Sequence, residues 1–243
     1  MEVIKDLFGF KSKKKSEPLS FKYFSGKANN KTVLQEKVIF LMPLLASTTS
    51  EVANGIPLDM FQLSAPKQEI NRELFFDILC FNLSLFDRFS HYQLKPEERG
   101  SFMDLLVLFT FEEIANIINL KEKDKKDEFL KTLLQRLNEI LFKFAKMKDI
   151  FPVSVDQSFE ALGSCLYGAF SEYLANKVCG ENTQDARCIS KVLYIILSAQ
   201  YQTLQIPFII SGNKDYYREV SQNKINEDIG KAIEMATLMK YKM

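Results

Sequence analysis

The chain has no tryptophan, one histidine, nine glycines and seven prolines, the last two at about half of average usage. Each scarcity excludes something. A single histidine rules out the di-iron site of a helical bundle, which draws Glu-x-x-His pairs from two helices. With few glycines and prolines there are few tight turns, so the segments between them are long, which is an all-helical signature. The four cysteines, at positions 80, 165, 179 and 188, show no C-x-x-C spacing. They predict neither a zinc site nor a disulfide framework, and free thiols suit a reducing cytosol. G-x-x-x-x-G-K-[ST], G-x-G-x-x-G, H-E-x-x-H and G-x-S-x-G are all missing, which leaves phosphate-cradling loops, zincin chemistry and a nucleophile elbow without support. No cofactor and no metal are expected. The formal charge of +1 lacks the basic excess of a nucleic-acid domain. The N-terminus has too short an apolar stretch for a signal peptide, broken by Lys5 and Asp6.

Apolar residues are plentiful, with 21 phenylalanines among them. The longest apolar region, Glu73 to Leu120, reads as two helices joined at Leu94, Lys95 and Pro96. At 100° per residue, Glu73, Asp77, Cys80, Ser84, Asp87, Arg88 and His91 occupy one third of the first helix and apolar residues the rest. The second helix repeats this, with Glu97, Ser101, Asp104, Glu112 and Asn119 on a narrow stripe. Pro96 followed by Glu97 and Glu98 is a strong start signal, because proline's missing N–H would be unpaired there and carboxylates meet the positive dipole end. The short link predicts an antiparallel hairpin that needs neighbours on several sides. Pairing across it puts Asn82 near Thr110 and Glu113, a buried polar contact that would set the register.

The fold expected is all-α: a single globular domain of six to eight helices built around that hairpin. Residues 32–243 form the helical domain and residues 1–31 a basic, flexible tail. The tail holds eight lysines against Glu2, Asp6 and Glu17, a net +5, which leaves −4 on the remainder of a +1 chain. Its first fifteen residues place Val3, Ile4, Leu7, Phe8 and Phe10 before Lys11, Lys13, Lys14 and Lys15. Greasy side chains followed by lysines suit the boundary between acyl chains and anionic headgroups.

Beyond the tail, a helix is expected from Thr32 to about Leu45, bent or ended by Pro43, and then a packed loop from Ser47 to Ser64. Ser64 and Pro66 read as the opening of the first central helix. KEKDKKDE is a solvated start for an amphipathic helix whose apolar face is expected to carry Leu130, Leu133, Leu134, Leu137, Ile140, Leu141 and Phe144. A helix from about Asp156 to Cys179 is expected to open with a Ser154 to Gln157 capping box and close at Gly180. Its small residues, Ala161, Ser164, Cys165, Gly168, Ser171 and Ala175, allow another backbone to come close. Val192 to Asn213 carries no charge, but Gln200, Gln202, Gln205 and Pro207 make membrane insertion unfavourable, so it reads as a buried helix ending before Pro207. The last amphipathic helix turns Ile225, Ile229, Ala232, Ile233 and Ala236 inward.

One set of side chains has catalytic chemistry: Asp87, Arg88 and His91, with Arg99 and Asp104 across the turn. Asp87 and His91 share a helix face, so the carboxylate could orient the imidazole as in a general-base site. The simpler reading is structural, since a histidine suits the carbonyl end of a helix and Asp–Arg pairs there form ordinary ion pairs. The functional expectation is a non-enzymatic helical adaptor in the cytoplasm. Its partner is a protein or a second copy, and its tail residues Phe8, Phe10, Lys11, Lys13, Lys14 and Lys15 touch a partner or the inner membrane face. A helical carrier of an apolar ligand or lipid is the alternative, and an enzyme using His91 comes last.

Overall fold

In the computed structural model, the residues described are 30–151, 163–181, 183–204, 206, 210 and 227–234, and among them there are helices and no strands. The helices are α1 (Asn30–Gly55), α2 (Lys67–Gln93), α3 (Pro96–Ile117), α4 (Lys123–Phe144), α5 (Leu166–Cys179) and α6 (Gln184–Leu204), with a 3-10 turn at Leu58–Met60. Residues 227–234 are also helical. The expected all-α, multi-helix body is what the chain forms.

α2 sits inside. It packs on α1, α3, α4 and α5, and from Leu74 to Phe86 every residue except Ser84 is buried. The apolar two thirds of its girth explain this, because a helix greasy on several sides must be covered on each. Its partner across the Leu94–Lys95 link is less enclosed than expected. α3 buries Phe102, Leu106, Phe111 and Ile114 but leaves Leu108 48% exposed, with Leu105 and Phe109 half-buried at its flank.

The second enclosed helix is α1. It continues through Pro43 to Gly55, and each residue from Leu44 to Ser50 is buried, so the expected break at Pro43 and loop from Ser47 are corrected. Proline removes only the bond to residue 39, and Ile39 is half exposed. The Ser-Thr-Thr-Ser run stays helical because its hydroxyls find internal partners. Thr48 Oγ1 donates to the Leu44 carbonyl at 2.9 Å and accepts from Gln200 Nε2 of α6 at 3.4 Å. Asn82 Nδ2 donates to Thr49 Oγ1 at 3.2 Å. Asn82 therefore does set a register, but against α1: Thr110 is buried with an unpartnered hydroxyl, and Glu113 takes no part.

Local signals account for most helix ends. Pro96 begins α3 with Glu97 and Glu98 in its first turn, and Asn119, at φ 60°, ends it in the left-handed region. Gly180, at φ 86°, closes α5 as expected. The start of α5 differs: Leu166 follows a non-helical Cys165, whose Sγ accepts from Gly168 N at 3.3 Å. The Ser154 to Gln157 capping box lies outside the described residues. Thr183 caps α6 by accepting from Ala186 N at 2.9 Å. Ser64 does not cap α2. Instead its hydroxyl and N–H donate to the last carbonyls of α5, Lys177 O at 2.7 Å and Val178 O at 2.8 Å.

The small residues Gly168, Ser171 and Ala175 of α5 are buried, and α5 makes its most extensive contact with α6. An aromatic column fills the space between α2, α5 and α6. Phe81 stacks on Phe170 at 3.8 Å and meets Tyr167 edge-on at 5.2 Å, Tyr167 stacks on Phe151 at 4.8 Å, and Phe151 meets Tyr201 at 5.0 Å. At the other end of α1 a Cβ on Gly55 would overlap the Ile233 side chain at 2.0 Å, so the 227–234 helix closes over α1. Ile229 and Ala232 face inward as expected, while Ile225 and Ala236 lie outside the described residues.

The α1–α2 contact gives a test. Thr49→Val leaves the buried Asn82 amide without its acceptor and is expected to destabilise the fold by ~1–3 kcal/mol. Urea denaturation measures this, and an unchanged midpoint would contradict the packing described.

Candidate functional site

The polar stripe of α2 becomes the seam along which α4 and α5 attach. Glu73 accepts from Arg136 Nη2 of α4 at 2.6 Å. One turn on, Asp77 is fully buried, with Oδ2 accepting from Lys177 Nζ of α5 at 2.7 Å and Oδ1 lying 3.5 Å from Arg136 Nη1. Oδ1 has charge nearby but no hydrogen bond, because 3.5 Å lies at the outer limit of that contact. Arg136 also lies over the Phe76 ring, and Lys143 and Lys177 both lie over Tyr173. Cys80 is buried one turn further along, and burial pushes its thiol up, so it is an unreactive group.

Burial raises the Asp77 carboxyl more than Lys177 and Arg136 lower it. For Lys177, burial lowers the ammonium, but attraction to Asp77 and hydrogen bonds to Asp77 and Tyr173 together raise it more. The two directions pull against each other, since an ionised Asp77 is what holds Lys177 up. The geometry favours the charged pair at neutral pH: two cations flank one carboxylate. A buried carboxylate without them would carry a desolvation cost of several kcal/mol.

Beside this seam lies a half-open cleft of about 300 Å³, lined by Ala65, Ile70, Leu74 and Val178 and by Glu69, Glu73, Asp77 and Lys177. More of its exposed wall is apolar than polar, and four ionisable side chains, Glu69, Glu73, Asp77 and Lys177, stand among the apolar ones.

The four residues singled out for catalysis separate into other tasks. Asp87 accepts both nitrogens of a forked Arg99, at 2.7 Å and 2.8 Å from Nη2 and 3.1 Å from Nε, which clamps the start of α3 to the end of α2. Arg88 turns the other way and donates to the Phe144 carbonyl at 3.1 Å and to that of Met147, capping α4. His91 is exposed, and its Nδ1 lies 3.3 Å from Arg99 Nη1, with no carboxylate recorded on either ring nitrogen among the described residues. Asp104 is exposed and has no ion pair among the described residues. The expected closeness of Arg99 across the turn is seen, and that of Asp104 is not. No group of three or more metal-ligating side chains exists among the described residues. Phe8, Phe10, Lys11, Lys13, Lys14 and Lys15 lie outside them.

Two surfaces with apolar side chains stand out. On α4, Phe142 is 88% exposed and Leu134 46%. The outer side of α3 carries Leu108 among carboxylates. Among the described residues no helix is long and apolar enough to cross a membrane. No family model, curated protein or solved structure matches this chain.

The Asp77 seam gives a pH-dependent test. Lys177→Met removes the partner bonded to a buried carboxylate and is expected to destabilise the fold by ~2 kcal/mol at neutral pH, the usual cost of a broken buried pair reduced because the lysine is 40% exposed. A raised folded pKa means that the native state holds the Asp77 proton when the unfolded chain has lost it. The penalty therefore shrinks as pH falls into the carboxylate range and grows as pH rises. Chemical denaturation from pH 4 to pH 8 measures the trend, and a penalty that grows on acidification would refute it.

Proposed function

We propose that this chain is a non-enzymatic helical adaptor: a bundle that presents apolar contacts on its surface and carries a lysine-rich N-terminal segment that meets an anionic membrane or a partner. One observation carries the reading. The groups with catalytic chemistry are spent on joining helices, Asp87 with Arg99 and Arg88 with the end of α4, while Phe142 is left 88% exposed on the outer face of α4. Aromatic side chains are enriched at protein interfaces and act there as anchors. Leu134, two turns earlier and 46% exposed, extends the same surface.

The carrier reading has less support from the cleft beside Asp77, which at about 300 Å³ is small, half-open and edged by four ionisable side chains. An enzyme built on His91 has less support, because Asp87, the carboxylate that would orient the imidazole, is held by Arg99 instead.

Two measurements test the adaptor reading. With a photo-activated cross-linker at Phe142, the chain is expected to form a discrete adduct inside its own cells, and Leu134→Asp is expected to remove that adduct with the melting temperature unchanged. A chain that forms no adduct would contradict the α4 surface. Changing Lys11, Lys13, Lys14 and Lys15 together to Gln in the full chain is expected to weaken co-sedimentation with phosphatidylserine vesicles by at least ~100-fold, at about 1 kcal/mol per lysine. Equal pelleting would remove the membrane contact.

A further inference from the structure

The outer side of α3 combines exposed apolar surface with uncompensated charge. At 100° per residue, Glu97, Ser101, Asp104, Leu108 and Glu112 fall within roughly 80° of one another, with Leu105 and Phe109 half-buried on the flank. Glu97, Glu98, Asp104 and Glu112 have no ion pair among the described residues, and the helix's one cation, Arg99, is held by Asp87. The surface is thus a leucine ridge in a strongly negative field.

The sequence holds its complement. Residues 1–15 place Leu7, Phe8 and Phe10 ahead of Lys11, Lys13, Lys14 and Lys15, apolar side chains followed by positive charge. We propose that this N-terminal segment docks on the outer face of α3, its apolar residues against Leu105, Leu108 and Phe109 and its lysines against Asp104, Glu112 and Glu97. The tether reaches. Residues 16–29 can span up to about 45 Å, while the 22 residues of α3 extend about 33 Å. The helix it is rooted in, α1, is one that packs against α3. A joined segment meets its seat at an effective concentration in the millimolar range, so a weak site suffices to hold it. The proposal goes beyond the adaptor reading and does not depend on a membrane.

The test uses the full chain with p-benzoylphenylalanine in place of Phe10. Irradiation is expected to yield an adduct within one chain, on the tryptic peptide Gly100–Lys121. D104K/E112K, which leaves the N-terminal sequence and the buried face of α3 unchanged, is expected to lower the yield about tenfold through lost attraction and new repulsion. Ser101→Lys, an exposed position on the same stripe, is the second variant and is expected to lower it in the same direction should the double variant not fold. Raising the salt concentration is expected to reduce the yield as well. Adducts on another element, adducts joining two chains, no adduct, or a yield indifferent to both variants would each overturn the proposal.

Discussion

Enclosure on every side is the constraint on which the rest of this structure depends. Leu44 to Ser50 of α1 and Leu74 to Phe86 of α2 have essentially no outward side, Ser84 apart. Any polar group there must find its partner within the protein, since a buried group left unpaired costs ~1–3 kcal/mol. Thr48 and Gln200, Thr49 and Asn82, and Asp77 with Lys177 and Arg136 are the solutions. Each links two helices and fails if either slides by a residue. Apolar packing supplies the stability, and these contacts narrow the arrangements that satisfy it.

The same economy shapes the surface. Arginines and carboxylates that could have served chemistry hold helix ends together, while Phe142 and Leu134 on α4 and Leu108 among carboxylates on α3 are left exposed. The body is negative and the N-terminal stretch positive, which gives a chain of nearly zero net charge a strong internal asymmetry.

How much of this could be read from the residues depended on the range of the interaction. The all-helical class, the burial of α2, the start of α3 at Pro96 and the end of α5 at Gly180 all rest on local patterns and are present in the structure. α1 was harder, because Pro43 and a polar run look like a break. The helix continues there because proline removes a single bond and because Thr48 and Thr49 are met by Gln200 and Asn82, which are distant in sequence. Nor could α3's outward leucine be foreseen from a helix apolar on most sides, since α1, α2 and α4 cover only part of it. Within the candidate site, the pairing of Asp87 with Arg99 was legible because the two lie just across a short link. Asp77 gave no such signal. Its partners lie on α4 and α5, and it read as one more member of a polar stripe.

Native-state hydrogen exchange tests the central claim most directly, because amides in a helix closed on all sides open only when the whole fold does. The account predicts that the amides of Phe75 to Phe86 exchange slowest, at the rate of global unfolding, and more slowly than those of α4. Amides in α2 that exchange as fast as those of α4 would contradict it.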